Sequence, residues 1–315
     1  MTSPAEAVAS LGRRRAYWHA GVLLAVLLGG LYLAHRHWPA LESGAGRLAG
    51  ADQGWLLVGA TAALGTWAAS ALAQQGAVVR RLPAPRLVAA QFAASAANHL
   101  LPAGLGAGAV NLRFLMRCGL PAGRSASALA VKATAGAAVR MALIALLTPA
   151  CPGLLRLPEP TPTAVAVALG GLVLLAALPA TPWWARCRRA LSAVLADLRA
   201  LHICPARAAA LWGGSLAFAA LHSLVLIAVT QAIELPLPPL QVALLYLAAS
   251  SAAALLPTPG GLGSLDAALA LALTVSGAPG AAAASAVLGY RLLTVWLPLL
   301  PGLLVLGVLV RRKAL

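Results

Sequence analysis

Two stretches of this chain, 87–115 and 240–275, are apolar enough to lie in a membrane yet carry proline and glycine near their middles. The first contains NHLLPAGLG, with Pro102, Gly104 and Gly106; the second contains LLPTPGGLGSLD, with Pro257, Pro259, Gly260, Gly261 and Gly263. In a helix interior proline costs about 3 kcal/mol and glycine about 1 kcal/mol relative to alanine. Each stretch therefore predicts a helix, a break and a second helix. Non-helical backbone at membrane depth persists only where it is buried in protein or lines a wet cavity, so the breaks are expected to line the cavity this protein uses. Each arm is either a re-entrant half-helix or a short complete span, and both options give the rest of the chain the same topology.

Six further apolar runs, 17–33, 55–74, 125–147, 163–178, 208–232 and 281–310, compare with the roughly 20 residues that a spanning helix needs. Of 315 residues, 61% are hydrophobic and 10% charged, and the mean hydropathy is +0.87, well outside the range of a soluble domain. The expected fold class is an all-α polytopic membrane protein, with six full transmembrane helices and two broken hairpins. The first run follows Arg13, Arg14 and Arg15 but lacks a small-residue cleavage site, so it is read as a retained helix rather than a signal peptide.

The net charge of +16 would point to nucleic acid if the cations clustered on a soluble face among aromatic residues. Here they sit between apolar runs, and no nucleic-acid partner is expected. With the N-terminus inside, seventeen Lys and Arg fall on the cytoplasmic side and three, Arg36, Arg47 and Arg156, outside. Cytoplasmic loops carry that excess, so both termini are expected in the cytoplasm. Cys118, Cys151, Cys187 and Cys204 form no C-x-x-C pair, and His35 and His37 are isolated; neither a disulfide framework nor a metal site is expected.

The two broken stretches resemble each other. SAANHLLPAGLG, 95–106, aligns with SSAAALLPTPGGLG, 250–263, setting Pro102 over Pro257 at an offset of 155. GLPAGRSASALAVKA from Gly119 aligns with GAPGAAAASAVLGYR from Gly277 at an offset of 158. The chain reads as one membrane domain, 1–315, duplicated into halves 17–150 and 163–310. The segment 183–207 between them mixes Arg with Leu, Val and Trp at helical spacing, as does an amphipathic helix on the inner surface, or a solvated connector. Arg80, Arg81, Arg86, Arg117 and Arg124 flank the first hairpin, whereas no Lys or Arg lies between Arg207 and Arg291. The hairpins then open to opposite sides and the halves are inverted, as in transporters whose substrate site lies near the midplane between the repeats.

The ionisable candidates within the apolar runs are Lys132, Arg140, Asp266 and Arg291. Each costs roughly 2.5 to 3.5 kcal/mol at a helix centre. Lys132 and Arg291 fall next to one another in the repeat alignment, so the halves are expected to present one cation each to a shared cavity. Two such cations would hold a phosphate while its acyl tails stay in lipid. Asp266, the carboxylate of these apolar regions, follows Gly263 by three residues; it either caps the next helix, pairs with Arg291 or couples transport to protons. Asn98, in the first hairpin, is a further candidate for substrate binding. His99 beside it and His222 read more simply as hydrogen-bonded packing.

LLPTPGGLGSLDAAL followed by GYRLLTVWLPLLPG, with NHLLPAGLGAGAVNLRFL earlier, resembles the lysylphosphatidylglycerol synthase transmembrane region family of flippase-like proteins, from about residue 55 onward. The resemblance implies movement of an anionic, aminoacylated or polyprenyl-linked lipid between the leaflets of the cell membrane. It adds Arg113, the remnant of a G-E-x-x-R motif, to the substrate-binding candidates Arg291, Lys132, Arg140 and Asn98. Two features depart from the family: alanines replace the acid of that motif, and a Glu-Arg pair expected in the following helix is Lys132-Ala133 here. With no aminoacyl-transferring domain before Leu315, lipid modification would fall to a separate enzyme. GLGS at 261–264 faintly resembles the Gly-x-Ser of intramembrane proteases, but no histidine follows His222. No P-loop is present either. No enzymatic activity and no cofactor are expected; a small-molecule secondary transporter or a non-transporting membrane scaffold are the alternatives.

Overall fold

The computed structural model describes residues 46–100, 105–151, 188, 192, 194–200, 203–255 and 263–311. Among these the main elements are α1 (Gln53–Gly76), α2 (Ala84–Leu100), α3 (Leu105–Arg117), α4 (Ala122–Leu147), α5 (Pro205–Ala232), α6 (Pro239–Ala253), α7 (Ser264–Val275), α8 (Gly280–Arg291), a π-helical turn (Leu292–Trp296) and α9 (Leu297–Arg311). The described residues contain no strand. The expected spans at 17–33 and 163–178, most of the connector 183–207, and Pro102, Gly104, Pro257, Pro259, Gly260 and Gly261 lie outside the described residues.

Both broken runs divide where the sequence predicts. The arms α2, α3, α6 and α7 hold 17, 13, 15 and 12 residues. At about 1.5 Å per residue they reach about 18 to 26 Å, against the ~30 Å hydrocarbon core. By contrast α1, α4, α5 and the α8–α9 rod are each long and apolar enough to cross a membrane. The described chain thus reads long, short, short, long, and repeats that order.

The ends of the short helices show how the sequence sets this pattern. In α3 the N–H groups of Gly119 and Leu120 donate to the carbonyls of Met116 and Leu115 (2.9 and 3.2 Å). After α7 those of Gly277 and Ala278 donate to Thr274 and Leu273 (3.0 Å each). Gly119 and Gly277 have φ of +89° and +97°, the left-handed conformation that closes a helix in this way and that glycine adopts without penalty. Pro121 and Pro279 follow immediately before α4 and α8, where a residue without an N–H loses no intrahelical bond. All these positions are related by the offset of 158.

The run 281–310, read from sequence as one uninterrupted helix, is interrupted. Leu292–Trp296 forms a π-helical turn, and Leu297 N–H donates back to the Leu292 carbonyl. Pro298 supplies the reason: it has no N–H to give Thr294, and its ring crowds that carbonyl. The widened turn relieves the conflict directly after Arg291.

Helices α1 and α5 pack antiparallel. Gly59 faces Val225 and Ala228, Gly65 faces Leu221, Ala73 faces Gly214, and Gly76 faces Leu211. A Cβ on Gly76 would stand 2.3 Å from Leu211 N, and one on Gly214 2.4 Å from Ala73 N, so these backbones touch only because both residues are glycine. Small residues at such crossings supply the close packing that drives helix association in lipid. The Asp52 N–H donates to the Ala232 carbonyl (3.0 Å), and the Asp52 carboxylate caps α1 through Trp55 N–H (3.1 Å). Around this axis α9 packs on α2, and α4 packs on α6. Val305, Leu306 and Leu309 of α9 thereby enter the core built from α2, α3 and α4. Leu143, Ile144 and Leu147 of α4 enter the core built from α5 to α8.

Candidate functional site

Four helices of the first half each send one polar side chain to a common point. Lys132 Nζ on α4 donates to Ser70 Oγ on α1 (2.9 Å) and to Gln91 Oε1 on α2 (3.2 Å). Gln91 also accepts from Ser70 Oγ (2.8 Å) and, through Nε2, donates to Asn111 Oδ1 on α3 (2.8 Å). Asn111 is held in turn by its Nδ2 donating to the Ala107 carbonyl (2.9 Å). Among the described residues no carboxylate takes part. One turn from Ser70, Gln74 is fully buried, and neither amide atom has a partner, so the first half holds more polar capacity than its own contacts satisfy.

The second half is organised around an ion pair and an aromatic chain. Arg291, at the end of α8, donates through Nε to Asp266 Oδ1 in the first turn of α7. The arginine side chain is 7% exposed and the aspartate 31%. The other carboxylate oxygen, Oδ2, accepts from Gly263 N–H (2.9 Å), and Gly263 has φ +87°. Asp266 thus both caps α7 and pairs with Arg291, combining two roles that sequence left as alternatives. Beside it, Tyr290 OH donates to Tyr246 OH (3.3 Å) and lies 3.0 Å from His222 Nδ1. His222 also packs on Phe218 and Tyr246, in keeping with its reading as hydrogen-bonded packing. Arg140, reaching over from α4, lies within electrostatic range of His222 and Tyr246, and its Nε is buried without a hydrogen-bond partner.

The two clusters occupy equivalent positions. Gln91 and Tyr246 differ by 155, and Lys132 and Tyr290 by 158, the offsets of the repeat alignment. In each half a polar contact joins the first hairpin arm to the helix after the hairpin.

Several expected site residues are placed differently from the expectation. Lys132 and Arg291 make their hydrogen bonds in separate clusters, Lys132 with Ser70 and Gln91, and Arg291 with Asp266. Arg140, eight residues beyond Lys132 and about 12 Å along the helix, is the α4 cation that reaches the second cluster. Arg113 is exposed on α3 and joins neither cluster; Asn111, two residues earlier, is the side chain that turns inward. Gly106 lies in the first turn of α3 rather than in the break. It is a close-packing residue, since a Cβ there would stand 1.9 Å from the Ala97 carbonyl oxygen. Asn98, near the end of α2, has a buried Oδ1 with no partner. Sequence reasoning followed ionisable residues and passed over Ser70, Gln91, Asn111 and Tyr246. Their signal was polarity inside apolar runs without charge.

At the α1–α2 end lies a cavity of about 870 Å³, lined in part by Arg80, Arg124, Asp197 and Arg207. Cys118 sits at the same end, where burial pushes its thiol up, partly offset by Arg80 and Arg86. Among the described residues there is no group of three or more His, Cys, Asp or Glu placed to hold a metal.

Apolar rods of spanning length, paired short arms and polar clusters sealed between them define an all-α polytopic membrane protein. The family model described as lysylphosphatidylglycerol synthase TM region matches residues 11–302. The chain belongs to that family, and the match begins well before the point at which the resemblance was legible by motif. No match was found among curated proteins.

Proposed function

We propose that the protein is a flippase-like transporter that moves an anionic lipid, plain or aminoacylated, between the leaflets of the cell membrane, with both termini in the cytoplasm. The observation that carries this reading is Lys132. A cation at membrane depth is costly and ordinarily pairs with an anion or lines a pathway, yet Lys132 is held by Ser70 and Gln91, which are neutral. It is oriented by its neighbours without being neutralised by them. A headgroup phosphate would supply the missing charge while its acyl tails remain in lipid. Arg291 differs, because Asp266 already answers its charge; its part is to fasten α7 to α8.

The inverted-repeat reading supports transport. The antiparallel α1–α5 crossing, the recurring order of helix lengths and the reciprocal packing of α4 on α6 and α9 on α2 all fit two halves related by an axis in the membrane plane. Such halves can rock about a site between them. The test is reconstitution in vesicles carrying fluorescent phosphatidylglycerol, with a membrane-impermeant quencher reporting the leaflet. Lys132→Gln should slow translocation at least tenfold while thermal stability changes by a few degrees at most. Unchanged translocation in Lys132→Gln would remove the proposed site. A wild-type protein that moves no anionic lipid would favour the scaffold alternative.

A further inference from the structure

The 870 Å³ cavity lies outside both intramembrane clusters. We infer that it is the cytoplasmic loading site for the phosphate of a lipid headgroup, with Arg80, Arg124 and Arg207 as its cationic walls. The inference rests on the transport reading above and on the N-terminus-inside topology, and it deepens that reading by naming where the headgroup enters.

Three arginines and one carboxylate, Asp197, line the cavity. None of the three arginines makes an ion pair among the described residues, where Arg291 with Asp266 is the pair formed. Arg207 is the most telling. Its Nε and one terminal nitrogen are buried with no hydrogen-bond partner, an arrangement whose desolvation is compensated only when an acceptor arrives. Its backbone is fixed by the tight α1–α5 crossing, where a Cβ on Gly76 would stand 2.8 Å from the Arg207 carbonyl oxygen. Arg80 is fixed likewise: its guanidinium lies over Gly119, 2.7 Å from where a Cβ would be, and its carbonyl accepts from Gln75 Nε2 (2.9 Å). Planar guanidinium groups held this way suit a phosphate, which they grip through two oxygens at once.

The size and the remaining walls select among anions. An inorganic phosphate would fill little of the volume, whereas pockets for larger ligands run from about 300 to 1,000 Å³. Val78, Leu120 and Val131 give the cavity apolar walls beside its arginines, as a glycerol backbone with the first carbons of its chains requires.

The cavity also leads inward. Arg124, Ser127, Ala128 and Val131 line it from one face of α4, at the i, i+3, i+4, i+7 spacing of a helical stripe. Lys132 follows directly, one turn beyond Ala128. Arg124, Lys132 and Arg140 recur every eight residues, about 12 Å per step. A headgroup loaded at Arg124 and Arg207 therefore has its next cation one step deeper on the same helix.

The test uses the full chain in lipid nanodiscs, with its four cysteines replaced and Ser127→Cys introduced as a reporter for a water-soluble maleimide. Dihexanoyl phosphatidylglycerol should slow labelling at least tenfold. In Arg124→Gln and in Arg207→Lys, equal protection should require about tenfold more lipid, and in Asp197→Asn about threefold less. Arg124→Gln changes an exposed position, so its effect is read free of folding. Equal protection by inorganic phosphate at the same concentration would overturn the lipid assignment in favour of a free-anion site. Equal protection by an uncharged short-chain diacylglycerol would overturn the role of the arginines. Translocation at the full rate in Arg124→Gln would overturn loading while leaving transport intact. Protection in a wild-type chain that moves no lipid would overturn transport and leave a binding site.

Discussion

The two halves build the same contact from different chemistry. In the first, Lys132 on α4 meets Gln91 on α2; in the second, Tyr290 on α8 meets Tyr246 on α6 at the repeat-equivalent positions. The second half adds a carboxylate beside its cation, Asp266 with Arg291, and the first adds neutral groups, Ser70 and Asn111. One cluster thus sets a cation directly against a carboxylate, Arg291 with Asp266, and the other holds its cation, Lys132, among neutral groups. The direct pair makes a fastener, since a buried pair resists loss of either partner. A cation held only by neutral groups is, on the proposed reading, where a ligand's charge would be met.

The largest expected effect tests the paired side. Asp266→Asn leaves the buried Arg291 without its carboxylate and should destabilise the protein by about 3 kcal/mol. Adding Arg291→Gln should recover most of that loss, the coupling expected of residues in direct contact. Thermal unfolding in detergent measures both variants. Lys132→Gln, removing a cation with no carboxylate partner, should cost much less. If it proves as destabilising as Asp266→Asn, the two clusters do not differ in kind.

Next comes the axis that the halves share. Gly214→Val pushes a branched side chain into the Ala73 backbone and should cost about 2 kcal/mol, within the range for overpacking. Gly213→Val, where nothing stands within 4 Å of a Cβ, is the control and should change stability little. Equal losses from the two variants would mean that the α1–α5 crossing is not the rigid element between the halves.

Much of this architecture was legible in the sequence because membrane solvation leaves few options. Apolar length gave the rods, proline and glycine gave the two broken runs, and the spacing of Gly119 and Gly277 gave two matching helix ends. The π-helical turn was not legible, because Pro298 signals a conflict and the wider register that resolves it depends on the helix continuing to pack. The polar clusters were half legible. Lys132, Arg140, Asp266 and Arg291 stood out by charge, but which of them meet depends on helix rotation. That property hangs on contacts between distant segments, such as Leu293 lying against Gly59. Arg113 and Asn111 illustrate the point: two residues apart on α3, one faces out and the other joins the Lys132 network.

A smaller change should convert one cluster toward the other. Gln91→Glu keeps the shape of the side chain and gives Lys132 a carboxylate, making the first half resemble the second. Translocation should fall about tenfold, equivalent to about 1.4 kcal/mol in the barrier, because the cation is then answered from within the protein. Stability should hold or rise slightly. Translocation unchanged in Gln91→Glu would show that the charge of Lys132 is not what the substrate meets.

The smallest effect concerns Tyr290, which stands where the first half has Lys132. Its hydroxyl donates to Tyr246 and lies within hydrogen-bond distance of His222 Nδ1, so Tyr290→Phe leaves two polar groups short of a partner. An ordinary hydrogen bond contributes about 1 kcal/mol, and a loss of that size is expected in thermal unfolding. Translocation should fall less than threefold, because the hydroxyl braces α8 against α5 and α6 and presents no charge. The ratio of the two effects is informative. A protein destabilised by about 1 kcal/mol but transporting nearly normally places the second cluster with the structure. A tenfold loss of transport at unchanged stability would place Tyr290 on the substrate's path, and the pairing of Arg291 with Asp266 would then have to open during the cycle.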